Sequence, residues 1–157
     1  ATLGQTNNCD GSELDAAYAR VKNGVLYIFL AGNLQTNGNK VWLFFDYQVG
    51  GQNRLRGDNP SLIVNMGDSG GANGNQFDVG FDPDQAFSIN CSGGTNIFVD
   101  QYTLPTSAGG ATTYLGQGNF LSSTALTGGT NPYGVAVTLN NSNTLGVGAG
   151  TGTDLSG

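Results

Sequence analysis

The chain has 157 residues, 27 of them glycine, and a net charge of −6 at pH 7 with only five lysines and arginines. That length allows one domain with its own core, and so few basic residues argue against a nucleic-acid surface or binding to an anionic membrane. No apolar run approaches the roughly 18 residues of a membrane span. The many Gly, Asn and Thr residues, with one Glu and one Met, favour short strands joined by turns over helices.

One β-domain is predicted between two ends of low complexity. Residues 1–11 lack periodicity and form an N-terminal arm, residues 12–144 form the domain, and residues 145–157 are a Gly/Thr-rich tail or strand. Residues 12–24 fit either a short helix or an irregular first strand, because their apolar spacing does not decide between the two.

A β-hairpin is the strongest local prediction. Residues 25–32 (VLYIFLAG) form a continuous apolar run, which is typical of a central strand. An Asn-Gly turn at 37–38 predicts that residues 40–49 (KVWLFFDYQV) return antiparallel to it. Both strands are apolar on both faces, and a sandwich core covers one face only. The second face must therefore be covered by a long loop, by another chain or by a ligand that stacks on aromatic residues. Trp42 and Phe44 on that face are predicted to contact a neighbouring subunit or a sugar.

Shorter strands follow, with turn residues in each gap. Their spacing of roughly 10–14 residues is typical of sandwiches and jelly rolls. The predicted strands are SLIVNM (61–66), NQFDVGF (75–81), DQAFSINC (84–91), TNIFVDQYTL (95–104), ATTYLG (111–116) and YGVAVTLNN (133–141). We therefore expect an all-β fold, an antiparallel β-sandwich of jelly-roll type whose open edge is completed by a strand from a neighbouring chain.

The sequence lacks the patterns that catalysis needs. The string GDSGG at 67–71 resembles the surroundings of a protease serine, but that mechanism requires an imidazole and the chain has no histidine. For an aspartic protease, Asp68 would need a second such motif. A glycosidase needs two carboxylates, whereas Glu13 is the sole glutamate and most aspartates are turn residues. We expect a protein that is not an enzyme.

The acidic residues suggest a site for a hard cation. Asp78, Asp82 and Asp84 lie in a loop-like segment whose carboxylates suit Ca²⁺, although their spacing is not that of an EF-hand. Exposed turn carboxylates are the alternative. The two arginines of QNRLRGDNP (52–60) are expected to form salt bridges with Asp58 and so anchor this loop.

The cysteines and asparagines favour an exported protein. Cys9 and Cys91 lie far apart in polar surroundings, and we expect them to form a disulfide, with two free thiols as the alternative. The triplets Asn-x-Ser/Thr/Cys make Asn7, Asn90 and Asn140 candidates for glycosylation. No signal peptide is recognisable at the start, so we expect any such segment to have been removed.

Most of the chain resembles a group of exported bacterial surface proteins that commonly end in a PEP-CTERM sorting tail. The resemblance is carried by DGSELDAAYARV, GVLYIFLAGNLQTNGNKVWLFFDYQVGGQNRLRGDNP, GFDPDQAFSIN and GGTNPYGVAVTLNNSNTLGVGAGTG. It implies a secreted β-sandwich of structural role without assigned catalytic residues. Trp42 and Tyr47 replace the smaller or polar residues expected there. Proteins of this group continue beyond the position of Gly157, so we expect a processed subunit or a longer chain.

Two functions follow as expectations. The first is a secreted, glycosylated structural protein that polymerises with copies of itself into an extracellular fibril or surface layer. The second is a carbohydrate-binding module, because jelly rolls bind sugars through exposed aromatic residues. Its candidate residues are Trp42, Phe44, Tyr47, Tyr102, Tyr114 and Tyr133, and for Tyr47 core packing is the better interpretation.

Overall fold

The computed structural model describes five stretches of the chain, which fold as antiparallel β-structure. They are residues 13–34, 37–67, 74–92, 96–119 and 124–139. Within them lie a 3₁₀ helix (Ser61–Met66) and the strands β1 (Glu13–Lys22), β2 (Val25–Asn33), β3 (Asn37–Phe45), β4 (Gln85–Ser92), β5 (Asn96–Thr103), β6 (Thr112–Asn119), β7 (Thr124–Ala125), β8 (Thr127–Gly128) and β9 (Ala136–Val137). The predicted all-β class is confirmed, and the predicted arm and tail lie outside the described residues.

The first hairpin joins β1 to β2, so residues 12–24 are not helical where they are described. Its turn is Asn23-Gly24, and both residues have positive φ (53° and 76°), which is the backbone of a type I′ turn. Lys22 pairs with Val25 next to the turn, and the pairing continues to Leu14 and Gly32 across one bulge.

The predicted hairpin between residues 25–32 and 40–49 is wrong. Strand β2 pairs with β1, and β3 pairs with β4. Two Asn-Gly pairs flank residues 25–32, and the one at 23–24 closes the hairpin. The pair at 37–38 instead begins β3, next to a register shift that precedes Lys40.

Five of the described strands form one antiparallel sheet in the order β3-β4-β5-β6-β8. The predictions for 84–91, 95–104 and 111–116 are confirmed as β4, β5 and β6. Buried residues alternate along much of β4 and β5, as expected for strands whose side chains point alternately to opposite faces. Both faces of this sheet carry apolar clusters.

The first face packs against the segment around β9. Its buried cluster is formed by Leu34, Cys91, Ile97, Val99, Leu115 and Leu126. Val135, Val137 and Leu139 pack on this cluster from the short pair β7–β9, and the two layers make the molecule a β-sandwich.

The second face is covered by the loop that follows β3. Its buried cluster contains Leu55, Ile63, Ala86, Tyr102 and Leu104. The prediction of a strand at 61–66 is wrong, because this segment forms the 3₁₀ helix. With three residues per turn, such a helix places Ile63 and Met66 on the same side, and both pack on the sheet.

Two further strand predictions are corrected. Residues 75–81 form turns, and in that segment a single bridge joins Gln76 to Arg54. Of residues 133–141, Ala136–Val137 alone is a strand within the described part. The Asn131 side chain donates to the Val135 carbonyl (2.8 Å) and accepts from the Val135 N–H (2.9 Å). Both backbone groups of Val135 are therefore bonded to a nearby side chain instead of to a neighbouring strand.

A buried pair of amides holds the loop on the second face. Gln52 and Asn59 bond reciprocally: Gln52 Nε2 donates to Asn59 Oδ1 (3.0 Å) and Asn59 Nδ2 donates to Gln52 Oε1 (2.7 Å). Gln52 Nε2 also donates to the Pro105 carbonyl (2.9 Å), and Gln52 Oε1 accepts from the Arg56 N–H (3.0 Å). The loop is thereby fastened to itself and to the chain after β5.

Candidate functional site

The hairpin β1–β2, residues 13–33, is an apolar ribbon that is open to solvent, and it is called the ribbon below. On β2, Tyr27 is 56 % exposed and Phe29 64 % exposed, and their neighbours Leu26 and Ile28 on the opposite face are 48 % and 38 % exposed. On β1, Tyr18 and Val21 are more than 60 % exposed. Both faces of the ribbon therefore present large apolar side chains to water.

The ribbon supports itself through its own cross-strand contacts. Tyr18 pairs with Phe29, with their ring centroids 6.1 Å apart, and Val21 pairs with Leu26. Three alanines of β1 (Ala16, Ala17 and Ala19) are too small to cover the larger residues of β2. Within the described residues, neither strand pairs with a third. A two-stranded hairpin on its own is marginally stable in water.

Trp42 and Phe44 lie beneath the chain's own loop. Both are half-buried and pack on the cluster that contains Leu55 and Ile63. The Trp42 ring lies 5.1 Å from that of Tyr102, centroid to centroid. These residues therefore need no neighbouring subunit or sugar to leave water, and a contact there stays a prediction. A long loop is one of the three coverings that the sequence allows, and the structure shows that one. The sequence does not identify its residues, because Leu55 and Ile63 are far from β3 along the chain.

Three aspartates lie in the segments where β3 ends and β4 begins, and Asp46, Asp82 and Asp84 together are called the acidic corner. Asp84 Oδ2 accepts the N–H groups of Tyr47 (2.8 Å) and Gln48 (2.9 Å). Asp46 Oδ2 accepts the N–H of Asp82 (3.0 Å). Two of the carboxylates thus fix the loop backbone.

The predicted calcium ligands Asp78, Asp82 and Asp84 gain no support from this arrangement. Among the described residues, no group of three or more acidic, cysteine or histidine side chains is placed to hold a metal. Binding of Ca²⁺ stays a prediction.

The arginines of the following loop differ in their partners. Arg56 and Asp58 form the expected salt bridge (2.6 Å), which raises the pKa of the arginine and lowers that of the carboxyl, chiefly through their side-chain hydrogen bond. Arg54 instead donates to the Gly74 carbonyl (2.9 Å) and to Gln76. Both arginines anchor loops, as predicted, but the bonds from Arg54 to Gly74 and Gln76 are not salt bridges.

A second candidate site crosses the loop-covered face of the sheet. Trp42, Ser88, Asp100 and Tyr114 lie opposite one another in a row across β3, β4, β5 and β6. The buried Ser88 hydroxyl donates to Asp100 Oδ2 (3.5 Å). Burial raises the pKa of the Asp100 carboxyl, against the opposing effects of the Ser88 hydrogen bond and the Lys40 charge. A carboxylate thus lies between two aromatic residues.

Other polar groups of this face have unused hydrogen-bonding capacity. The buried atoms Asn90 Oδ1, Tyr102 Oη and Thr112 Oγ1 have no hydrogen-bond partner among the described residues. Such groups are costly unless another molecule bonds them. Two of the predicted sugar-binding residues differ in their exposure on this face. Tyr114 is exposed, whereas Tyr102 is fully buried and can contribute its hydroxyl at most.

The other predicted residues, which are Tyr47, the two cysteines and the glycosylation candidates, do not form a common site among the described residues. Tyr47 is 60 % exposed, so its expected core packing is wrong, and its hydroxyl accepts from Gln85 Nε2 (2.7 Å). Cys91 is buried and has no disulfide partner among the described residues, and burial raises the pKa of its thiol to about 11. Its predicted partner Cys9 lies outside the described residues, so the disulfide stays a prediction. Asn90 lies within the sheet on β4.

The other two glycosylation candidates, Asn7 and Asn140, also lie outside the described residues. An exposed loop accepts a glycan more readily than the half-buried strand position of Asn90. Glycosylation stays a prediction at all three.

Comparison with known proteins assigns this β-sandwich to no group. No family model, no curated protein and no solved structure matches the chain. In the part of the chain that the structure describes, no helix has the length and apolar character needed to cross a membrane. The resemblance to PEP-CTERM-sorted surface proteins therefore stays a prediction, and the function has to be inferred from the sites themselves.

Proposed function

We propose that this protein is a secreted structural subunit that associates with copies of itself through the ribbon into an extracellular fibril or surface layer. The observation that carries the proposal is the exposure of large apolar side chains on both faces of β2. Secretion and glycosylation rest on the sequence, through its asparagine triplets, its two cysteines and its low lysine content.

Burial of the ribbon provides the driving force. Covering a side chain such as Phe29, Tyr27 or Leu26 contributes about 1.5–3 kcal/mol when burial is complete. Several such residues on one hairpin are sufficient for stable association, provided that the partner also satisfies the backbone. A monomer that left both faces wet would carry the full cost of their hydration.

A second copy of the chain suits this surface electrostatically. The ribbon contains Glu13, Asp15, Arg20 and Lys22, and its formal charges cancel. The charge of −6 therefore belongs to the rest of the chain. A neutral ribbon can approach a neighbour's acidic body without the repulsion that two such bodies would experience.

The test compares a double variant of the ribbon with a control variant outside it. Tyr27→Ser and Phe29→Ser together are expected to weaken self-association at least 100-fold, because each removes an aromatic side chain from the buried contact. Tyr133→Ser removes an equally exposed tyrosine (72 %) outside the ribbon and is expected to leave association unchanged. Sedimentation velocity over a concentration series measures the effect.

Two results would count against the proposal. Equal weakening by the ribbon variants and the control would make the association unspecific. A monomer whose ribbon amides resist hydrogen exchange would show that residues of the same chain cover the ribbon. Thermal melts taken at concentrations at which every variant is monomeric should agree, since the substituted side chains are exposed.

A carbohydrate-binding module is the second candidate, and the row from Trp42 to Tyr114 favours it. Trp42 itself packs in the core, so Asp100→Asn and Tyr114→Ala are the sharper variants. Both are expected to abolish retention on insoluble polysaccharides, while Tyr27→Ala, which alters an exposed tyrosine that is not among the predicted sugar-binding residues, retains it. Because its pKa is raised, Asp100 takes up its proton at a higher pH than an ordinary aspartate, and binding that needs the carboxylate should fall there. Retention that is unchanged in Asp100→Asn would exclude this site.

A further inference from the structure

The acceptor for the ribbon can be placed on the same molecule. Resting on the proposed function, we propose that β2 of one copy adds antiparallel to the open edge of β3 in the next copy, with its hairpin turn at the acidic corner. Donor and acceptor are then different surfaces, and a head-to-tail contact of this kind does not close and forms a filament.

Strand β3 offers the long open edge of the described sheet. It pairs with β4 on one side, and among the described residues no strand pairs with its other side. The edge at the other end of the sheet is β8, which has two residues. Strands β3 and β2 have nine residues each, so they match in length. An unpaired strand edge is a ready template for an added strand.

Strand β2 has the character of a donor. Its sequence VLYIFLAGN contains no charged residue, which is the device that usually protects an edge strand from pairing. Leu34, immediately after β2, is buried in the cluster on which Val41 of β3 packs. The base of the ribbon is therefore anchored beside β3. Among the described residues, β2 itself pairs with β1 alone.

Charge complementarity fixes the direction of pairing. In an antiparallel arrangement the start of β2 lies beside the end of β3, so Arg20 and Lys22 near the turn approach Asp46 and Asp82. These four side chains belong to exposed residues. A parallel arrangement would instead bring the two cations toward the half of β3 that carries Lys40. The β2–β3 pairing that the sequence predicts within one chain is thus formed between two.

Hydrogen exchange of the wild-type assembly tests the acceptor. Amides of residues 25–33 and 37–45 are both expected to become protected on association, whereas those of β8 are not. Protection of the ribbon without protection of β3 would overturn this inference and leave the proposed function intact. No association at any concentration would overturn the proposed function itself.

Mixing experiments separate the donor from the acceptor. The Tyr27→Ser/Phe29→Ser variant keeps β3, so at one-tenth of the wild-type concentration it should cap and shorten the assemblies. If ribbons paired with ribbons, this variant would be excluded and the assemblies would keep their length. Lys22→Glu should weaken association about tenfold, and Asp82→Lys in the same chain should restore it. Failure of that restoration would contradict the direction of pairing proposed here.

Discussion

Gln52→Ala is expected to lower the free energy of unfolding by about 3 kcal/mol, because it leaves several buried polar groups without partners. The Gln52 side chain is 3 % exposed. Its loss removes the acceptor of the Asn59 amide and of the Arg56 N–H, and the donor to the Pro105 carbonyl. Urea unfolding measures the change, and the slope of the free energy with denaturant should stay constant.

The fluorescence of the single tryptophan reports on the structure of the loop in the same variant. Trp42 packs beneath the loop that Gln52 fastens, so its fluorescence should shift to longer wavelength along with the loss of stability. Gln48→Ala is the matched control, since Gln48 is exposed and its hydrogen bond to Asp84 comes from the backbone N–H. It should change stability by less than about 0.5 kcal/mol. Equal stability of the two variants would contradict the role assigned to the buried amide pair.

Gly51→Ala is expected to destabilise the fold by about 4 kcal/mol. Gly51 has a φ of +98°, and a Cβ at this position would overlap the Asp82 carbonyl backbone. Alanine would therefore suffer both an unfavourable backbone conformation and a steric clash. In the variant, this clash would push the loop after β3 away from the segment that leads into β4.

Gly80→Ala separates these two effects. Gly80 also has a positive φ (+87°), but a Cβ there would have no atom within 4 Å. Its replacement should cost about 1–2 kcal/mol, the value for a left-handed backbone alone. Thermal or urea unfolding of both variants gives the difference. A Gly51→Ala protein no less stable than Gly80→Ala would show that the loop is free to move away.

The sequence predicts the class of fold well because alternation along a strand is a local property. The burial patterns of β4 and β5 can be read from their residues. Pairing is not local, and two Asn-Gly turns competed for the role that the one at Asn23-Gly24 fills. The 3₁₀ helix was missed because Ser61–Met66 is short and apolar, and such runs look like strands until their packing is known.

The sequence predicts the kind of candidate site correctly but places it on the wrong strand. A strand with two apolar faces was expected, and β2 has that character. The sequence pattern places the uncovered face at Trp42 and Phe44 on β3, where Leu55 and Ile63 in fact lie over it. Coverage by a distant loop leaves no periodic signal. The Ala-rich β1, which covers β2 poorly, was the signal that could have redirected the prediction.

This displacement changes which residues an assembly would need. Replacing Trp42 would disturb the core beneath the loop, so a loss of association in such a variant would be ambiguous. Replacing Phe29 or Tyr27 alters exposed side chains and leaves the sheet intact. The ribbon is therefore the part of the molecule where self-association can be tested apart from folding.

The mass of the wild-type particle as a function of concentration tests the central claim most directly. Equilibrium sedimentation of the whole chain should give a mass that rises steadily with concentration and passes the dimer without a plateau. A mass that stays at 16.1 kDa from dilute to concentrated solution, with the fold intact, would contradict the claim that the ribbon joins one copy to the next.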